Sequence, residues 1–147
     1  MKTLATLEPL PARLLEIQHI SSAAALLEWD QETYMPPGSG VARADQLATL
    51  HGLAHDKLVA SDIERLLMQW VDPATGQAID TPGDPWDEPS RALLREVWRD
   101  FSRAKKLPSE FVRRLRRECS LAQQVWSEAR AKSDFPRFLP NLRTLVS

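Results

Sequence analysis

Two histidines are the first side chains of this sequence whose types and spacing could support chemistry. His51 and His55 stand four residues apart in a helical pattern, so both imidazoles share one face, as in the zinc motif H-E-x-x-H. In that motif a glutamate follows the first histidine and acts as general base, whereas Gly52 holds this position here. We predict no metal site and keep His51 and His55 as candidate ligands only. The structural alternative places His51 in a hydrogen bond at the edge of the core and His55 at the surface.

Three carboxylates surround Trp29 near the end of a predicted helix, at Glu28, Asp30 and Glu32. A working acid and base would need burial to hold the two groups in different protonation states, and the sequence shows no such burial. We interpret these carboxylates as solvated charges or as partners in hydrogen bonds between the helix and the next loop. Cys119, the only cysteine, has neither a nearby histidine nor a helix N-terminus to favour its thiolate. The sequence therefore predicts no catalytic residue in this chain.

The elements that would position these side chains are helices. The 147 residues are rich in Leu, Ala, Arg and Glu and poor in types that favour strands. Apolar residues recur at three- and four-residue steps, and prolines mark helix ends. We predict an all-α fold of five or six helices in a single domain, residues 1–147, with the first two helices antiparallel. The predicted helices cover residues 11–34, 39–59 and 62–71, and three more begin near residues 89, 108 and 134.

Several local features refine this helical prediction. Ser61 and Glu64 match a capping box at the start of the third helix. Residues 72–88 form an acidic loop rich in Pro and Gly, in which Trp86 is expected to dock onto the body of the protein. Asp134 is expected to cap the last helix. The inward stripe of the fifth helix is predicted to be Phe111, Leu115, Cys119, Ala122, Trp126 and Ala129.

The formal net charge of −1 conceals an asymmetry, because residues 1–88 carry a net −9 and residues 89–132 a net +7. Four arginines at positions 113, 114, 116 and 117 could suggest a nucleic-acid surface, but such surfaces normally belong to a basic domain. We predict that the acidic and basic parts offset each other and that nucleic acid is not a partner. The sequence has neither a leader nor a long apolar run, and its lone cysteine fits a reducing compartment. These features predict no membrane association and a cytoplasmic location.

Residues 29–38, with the sequence WDQETYMPPG, carry a more specific pattern. This signature segment resembles the W-D-Q-E-T-x-M-P-x-G signature of the carboxypeptidase Taq family of zinc metallocarboxypeptidases. Three later stretches resemble the family in the same order: RADQLATL at 43–50, KLP at 106–108, and the D-F-x-x-F-x-P run within 129–140. The residues that match the signature are Trp29, Asp30, Gln31, Glu32, Thr33, Met35, Pro36 and Gly38.

The resemblance implies a fold and a function that the residues alone do not. Complete members of the family are longer and nearly all helical, and they release C-terminal amino acids from peptides through an H-E-x-x-H zinc site. The chain would then be the N-terminal, groove- or lid-forming part of such a fold, with the signature segment ordering the turn between the first two helices. Zinc would be a cofactor of the full-length family and not of this chain, which would be inactive alone. The alternative is a non-enzymatic helical interaction module or a truncated family remnant.

The last predicted helix carries an apolar stripe that remains in register where the sequence stops. In a complete family member, further helices would cover this stripe. We therefore expect a homodimer, or association with the missing C-terminal catalytic portion, and a peptide substrate only in a full-length enzyme. The stripe consists of Phe135, Phe138, Leu142, Leu145 and Val146.

Overall fold

Six α-helices and one short 3-10 helix form the fold in this computed structural model, which describes residues 1–146. The 3-10 helix covers Leu4–Leu7, and the α-helices are α1 (Leu10–Thr33), α2 (Gly40–Leu58), α3 (Ser61–Trp70), α4 (Glu88–Ala104), α5 (Ser109–Ala131) and α6 (Phe135–Val146). Within the described residues, β pairing is limited to isolated bridges. The all-α prediction is confirmed, and each predicted helix start lies within one residue of the observed start.

The chain divides into two compact units, and the division falls within α1 and α2. Unit 1 comprises Met1–His19 and His55–Leu107, and unit 2 comprises Ile20–Ala54 and the chain from Pro108 onward. Each unit has its own set of buried side chains. The assignment of the chain to a single domain stays a prediction.

A continuous apolar core holds unit 1 together. It joins the 3-10 helix, the start of α1, α3 and α4 through side chains that are at most 7% exposed. Full burial of each large apolar side chain contributes about 1.5–3 kcal/mol, so this cluster is the main source of stability in the unit. The core consists of Leu7, Leu10, Ile63, Leu67, Val71, Trp86, Leu94, Val97 and Phe101.

The segment between α3 and α4 contains no helix, yet its contacts with the core of unit 1 hold it in place. Trp86 is 3% exposed, and its indole N–H donates to the Ile79 carbonyl at 3.0 Å. The same ring meets Trp70 edge-on, with 6.3 Å between the ring centroids. The expected docking of Trp86 is therefore confirmed, and the loop is anchored by its largest apolar side chain.

The start of α3 differs from the prediction. Ala60 is the N-cap residue, and no side chain accepts a capping hydrogen bond there. Asp62 Oδ1 accepts a hydrogen bond from the Ile63 N–H at 3.0 Å, and Glu64 forms an ion pair with Lys105. The capping-box prediction is wrong because the helix begins one residue earlier than that motif requires and Glu64 is paired instead with Lys105, the residue that follows α4.

Small side chains line the interior of unit 2. Ala24 of α1, Ala44 of α2 and Ala122 of α5 are at most 4% exposed, and small side chains at a contact let helix backbones approach closely. The C-terminal part of α1 and the N-terminal part of α2 run antiparallel and are joined by the signature segment. This arrangement confirms the predicted antiparallel pair.

The buried face of α5 is rotated relative to the predicted stripe. Phe111, Cys119 and Trp126 are exposed, whereas Ser120 is only 5% exposed. The prediction is wrong for these three residues because polar Ser120 makes the contact with α1, and a pattern of hydrophobicity does not report a hydrogen-bonded serine.

Helix α6 packs along α5 and buries none of its own residues. Asp134 Oδ1 accepts a hydrogen bond from the Arg137 N–H at 3.3 Å, which confirms the predicted cap. Phe135 is 58% exposed and Val146 is 76% exposed. The two ends of the apolar stripe are therefore open to solvent, whereas Phe138, Leu142 and Leu145 are half-buried.

Candidate functional site

The signature segment, residues 29–38, lies at the end of α1 and in the turn to α2. Helix α1 closes where the N–H groups of Tyr34 and Met35 both donate to the Asp30 carbonyl, at 3.0 and 2.9 Å. Two prolines follow, and the chain reverses at Gly38, where φ is +88°. An added Cβ at Gly38 would meet nothing within 4 Å, so the backbone conformation and not a lack of space requires glycine.

Asp30 joins the end of α1 to the start of α2. Its Oδ2 accepts a hydrogen bond from Arg43 Nη2 at 2.6 Å, and Arg43 Nη1 donates to the Leu27 carbonyl at 2.6 Å. The Arg43 side chain is only 12% exposed, so solvent and salt screen this pair less than a surface pair. Arg43 opens the second stretch that resembles the family, and the two stretches are therefore in direct contact.

Gln31 and Glu32 join the end of α1 to α5. Gln31 Nε2 donates to the Ser120 carbonyl at 2.9 Å, and the Ser120 hydroxyl donates to Gln31 Oε1 at 2.8 Å. Glu32 Oε1 accepts a hydrogen bond from Gln123 Nε2 at 2.9 Å. Ser120 and Gln123 were not among the predicted site residues, because no spacing in the sequence marks a partner about ninety residues away.

Trp29 takes no part in these contacts with α2 and α5. It is 54% exposed, and its ring meets Tyr34 edge-on with 5.6 Å between centroids. Thr33 Oγ1 donates to the Trp29 carbonyl at 2.8 Å, a bond within the last turn of α1. Pairing with α2 and α5 is thus carried by Asp30, Gln31 and Glu32, while Trp29 stays open to solvent.

His51 is paired with a carboxylate of α1. Its Nε2 lies 2.8 Å from Glu28 Oε1, and the two side chains are 17% and 44% exposed. The next residue, Gly52, faces Arg113 of α5, since an added Cβ would lie 2.4 Å from Arg113 Nε. The position where the zinc motif carries its glutamate is therefore covered by an arginine side chain from another helix.

His55 lies in unit 1 and is buried. It is 9% exposed, and its Nε2 lies 3.1 Å from the Leu107 carbonyl. The expected exposure of His55 is wrong, because the chain that follows α4 supplies a backbone acceptor at this point. Across residues 1–146, no group of three or more His, Cys, Asp or Glu could hold a metal ion. Whether His51 or His55 binds metal stays a matter of prediction.

Ion pairs connect the acidic first part of the sequence to the basic later part. Arg117 Nε lies 2.7 Å from Asp45 Oδ1, and this hydrogen bond and charge raise the pKa of Arg117. Arg91 Nη2 lies 2.7 Å from Asp80 Oδ2, and the bonds from Arg91 and the Trp86 amide lower the pKa of Asp80. These pairs confirm that the two parts offset each other's charge.

Two cavities of unit 2 meet at Trp126. The first, of about 940 Å³, lies between the signature turn and α5, and the second, of about 320 Å³, lies between α5 and α6. Gln124 lines the first cavity and lies against Gly40, where an added Cβ would overlap its carboxamide. The second cavity has an aromatic wall in which Phe135 and Phe138 meet edge-on at 6.5 Å. The first cavity is lined by polar and apolar side chains and the second mainly by apolar ones.

A third cavity of about 230 Å³ lies beside the paired His51 and Glu28. Arg116 and Cys119 of α5 also line it. Cys119 is a free and exposed thiol. The group brings an imidazole and a thiol to one recess, but His51 is already engaged by Glu28.

Comparison with known proteins places this arrangement in a family. The family described as Carboxypeptidase Taq (M32) metallopeptidase matches residues 10–147. The chain is 30% identical over 142 residues to "Thermostable carboxypeptidase 1" of Pyrococcus furiosus, covering 97% of this chain and 26% of that protein. It is also 30% identical to "Thermostable carboxypeptidase 1" of Thermus thermophilus, covering 91% of this chain and 26% of the relative. The chain thus spans about a quarter of the length of these curated relatives.

A solved structure agrees with the sequence comparison. The carboxypeptidase of Pyrococcus furiosus superimposes with a TM-score of 0.65 at 29% identity, covering 92% of this chain and 25% of that chain. The matched part is the N-terminal quarter of the relatives. No helix in residues 1–146 has the length and apolar character that a membrane span needs.

Proposed function

The chain belongs to the carboxypeptidase Taq (M32) metallopeptidase family, and we propose that it is the N-terminal, groove- or lid-forming portion of a zinc-dependent metallocarboxypeptidase. The complete enzyme removes C-terminal residues from peptides, and this portion is inactive alone. One observation carries the proposal. The family match covers residues 10–147, and the chain spans only about a quarter of the length of its relatives. A cytoplasmic location belongs to the same proposal, supported by the free thiol of Cys119.

We infer that the missing catalytic portion holds the zinc, and the contacts of both histidines support this view. His51 Nε2 is engaged by Glu28, and His55 Nε2 is engaged by the Leu107 carbonyl. Structural zinc sites use four protein ligands and catalytic sites use three with a water, and no such group exists within residues 1–146. The contribution of this chain is an ordered signature turn, which hydrogen bonds of Asp30, Gln31 and Glu32 hold against α2 and α5.

The gene downstream of codon 147 tests the proposal directly. We expect the reading frame to continue and to encode a helix with an H-E-x-x-H zinc motif. Otherwise we expect a separate gene nearby to encode that portion. If neither exists, the alternative function stands instead. That alternative is a non-enzymatic helical interaction module or truncated family remnant, favoured by α6, which buries none of its residues.

Hydrolysis by the isolated chain is the second test. With added Zn²⁺ or Co²⁺, the chain should not turn over blocked dipeptides, because residues 1–146 contain no group of three or more His, Cys, Asp or Glu that could hold the metal and its activated water. The Pyrococcus furiosus carboxypeptidase serves as the positive control. Chelator-sensitive release of C-terminal residues by the chain alone would contradict the proposed inactivity.

Partners follow from the same proposal. The partner is a second copy of the chain or the C-terminal catalytic portion, and peptide is a substrate only of the complete enzyme. Support comes from the exposed apolar side chains of α6, since monomers seldom leave large contiguous apolar surface open.

A further inference from the structure

Residues Met1–Thr3, the N-terminal strap, lie across the end of the loop that joins α3 to α4. We propose that this strap is a charge-controlled latch, in which the positive charge of Lys2 holds residues 80–87 closed over the core of unit 1. Loss of that charge lets this end of the loop open while the rest of the loop stays in place. The inference concerns unit 1 alone and does not rest on the proposed function.

Two backbone hydrogen bonds join the strap to the loop. The Lys2 N–H donates to the Pro85 carbonyl, and the Asp87 N–H donates to the Lys2 carbonyl, both at 2.9 Å. Together they make an isolated parallel bridge between Lys2 and Trp86. Even a complete two-stranded hairpin is only marginally stable in water, so these two bonds need support from side chains to hold the strap in place.

The Lys2 side chain supplies that support. Its Nζ donates a hydrogen bond to Thr81 Oγ1 at 2.7 Å and lies 5.0 Å from the centroid of the Trp86 ring. A hydrogen bond from a charged donor is stronger than one between neutral groups, and an indole ring is the best aromatic partner for a cation. One ammonium group therefore contacts both ends of the segment from Thr81 to Trp86.

Two carboxylates of the loop attract the same charge. A hydrogen bond from Arg91 lowers the pKa of Asp80, and one from the Met1 amino group lowers the pKa of Asp84; the charge of Lys2 acts on both in the same direction. Asp80 Oδ1 in turn accepts the hydrogen bond of the Trp86 N–H at 3.2 Å. The latch thus depends on the charge of Lys2, and a neutral side chain of similar length would not replace it.

The remainder of the loop is held without the strap. The Ile79 N–H donates to the Trp70 carbonyl at 2.8 Å, and the Gly76 N–H donates to the Asp72 carbonyl at 2.7 Å. Regions held by few contacts open locally, at a lower free energy than global unfolding. The end of the loop at residues 80–87 can therefore open by itself, and its opening uncovers Trp86, which is 3% exposed when the loop is closed.

The strap remains near the loop after opening. The 3-10 helix that follows it ends at Leu7, which is fully buried in the core of unit 1. A short tether of this kind keeps the effective concentration of the strap high. Closing is therefore reversible, as a latch requires.

Amide hydrogen exchange measured by NMR tests the latch. Lys2→Met removes the charge but keeps a side chain of similar length, and it should lower the protection factors of the Trp86 and Asp87 amides about tenfold. The Gly76 and Ile79 amides should be unchanged, because their hydrogen bonds do not involve the strap. A purely structural role for Lys2 in the stability of unit 1 would instead affect all four amides.

The charge is tested by Lys2→Arg, which keeps it and should restore protection to within about threefold of the natural chain. Lys106→Met, at an exposed lysine after α4, is the matched control and should change none of these amides. If Lys2→Met does not fold by circular dichroism, Thr81→Val takes its place, since it removes the acceptor and keeps the shape; it should lower protection of the Trp86 amide about threefold.

Three results would overturn the inference. The first is unchanged protection of Trp86 and Asp87 in Lys2→Met, or of Trp86 in Thr81→Val where that variant replaces it. The second is an equal loss of protection at Gly76 and Ile79, and the third is a loss in Lys2→Arg as large as that in Lys2→Met. The proposed function would be untouched by any of them, because the downstream gene tests it separately.

Discussion

The Gln31 side chain forms two hydrogen bonds with Ser120, which lies far along the sequence. Gln31 and Ser120 each donate one hydrogen bond and accept one, and Ser120 is almost fully buried. Buried polar groups need such partners, because an unsatisfied group bears the full cost of its desolvation. The pair therefore fixes which face of α5 meets α1.

We predict that Gln31→Ala lowers the free energy of unfolding by about 1–3 kcal/mol. Ser120→Ala should lower it less, since the backbone carbonyl of residue 120 still accepts a bond from Gln31. Urea unfolding of both variants and of the double variant should give a coupling energy of about 0.5–1.5 kcal/mol. Gln69→Ala on the exposed face of α3 is the control and should change stability by less than about 0.5 kcal/mol. Strict additivity of the two substitutions would show that the bond from the Ser120 hydroxyl to Gln31 contributes nothing to stability.

At the scale of elements, the signature turn illustrates how prolines limit a helix. Pro36 and Pro37 lack backbone N–H groups and disfavour the helical conformation in the residues before them. Helix α1 accordingly ends at Thr33, and Gly38 allows the reversal. The position of Arg43 against Asp30 depends on this short connection.

Replacing both Pro36 and Pro37 with Ala should lengthen α1 and loosen its bonds with α2. We expect NMR Cα shifts to become helical beyond Thr33 and the Arg43 side-chain signals to move. Pro82→Ala, in the loop of unit 1, is the control and should leave α1 unchanged. An unaltered helix boundary in the double variant would contradict the role assigned to the prolines.

The loop between α3 and α4 makes unit 1 sensitive to acid. A hydrogen bond from Arg91 lowers the pKa of Asp80, and one from the N-terminal ammonium lowers the pKa of Asp84. A carboxyl group whose pKa is lowered in the folded state stabilises the fold when the pH is above the ordinary pKa of that group, near 3.8. That stabilisation is lost as the pH falls through the folded-state pKa. The contribution of these two carboxylates should thus decline as the pH falls below about 4.

Asp80→Asn tests this linkage. The variant should be less stable than the natural chain at pH 7, and the difference should shrink as the pH falls below about 4. Urea unfolding at a series of pH values measures the difference. Asp100→Asn, an exposed carboxylate of α4 in the same unit, should change stability little at any pH. A difference that stays constant from neutral pH into acid would rule out the contribution of Asp80.

At the scale of the whole molecule, exposed apolar side chains predict association. Phe135 and Val146 of α6 are 58% and 76% exposed, and no residue of this helix is buried. We expect a homodimer in the isolated chain, because self-complementary apolar patches commonly pair about a two-fold axis.

Light scattering over about a hundredfold dilution measures this equilibrium. Phe135→Ser should shift the chain towards monomer, whereas Met68→Ser, at an exposed apolar residue of α3 in unit 1, should not. A monodisperse monomer that binds no hydrophobic dye would contradict the expectation.

The sequence determined what depends on neighbouring residues. Prolines and three- to four-residue apolar spacing located all six helices, because helix bonds join residues four apart and proline interrupts them. The signature segment and three later stretches pointed to the family that the comparison then identified. Tertiary structure alone decided which polar groups meet: Gln31 with Ser120, and His55 with the Leu107 carbonyl. It also left Trp126 exposed, since the face that a helix buries is chosen by partners distant in sequence, which no local pattern records.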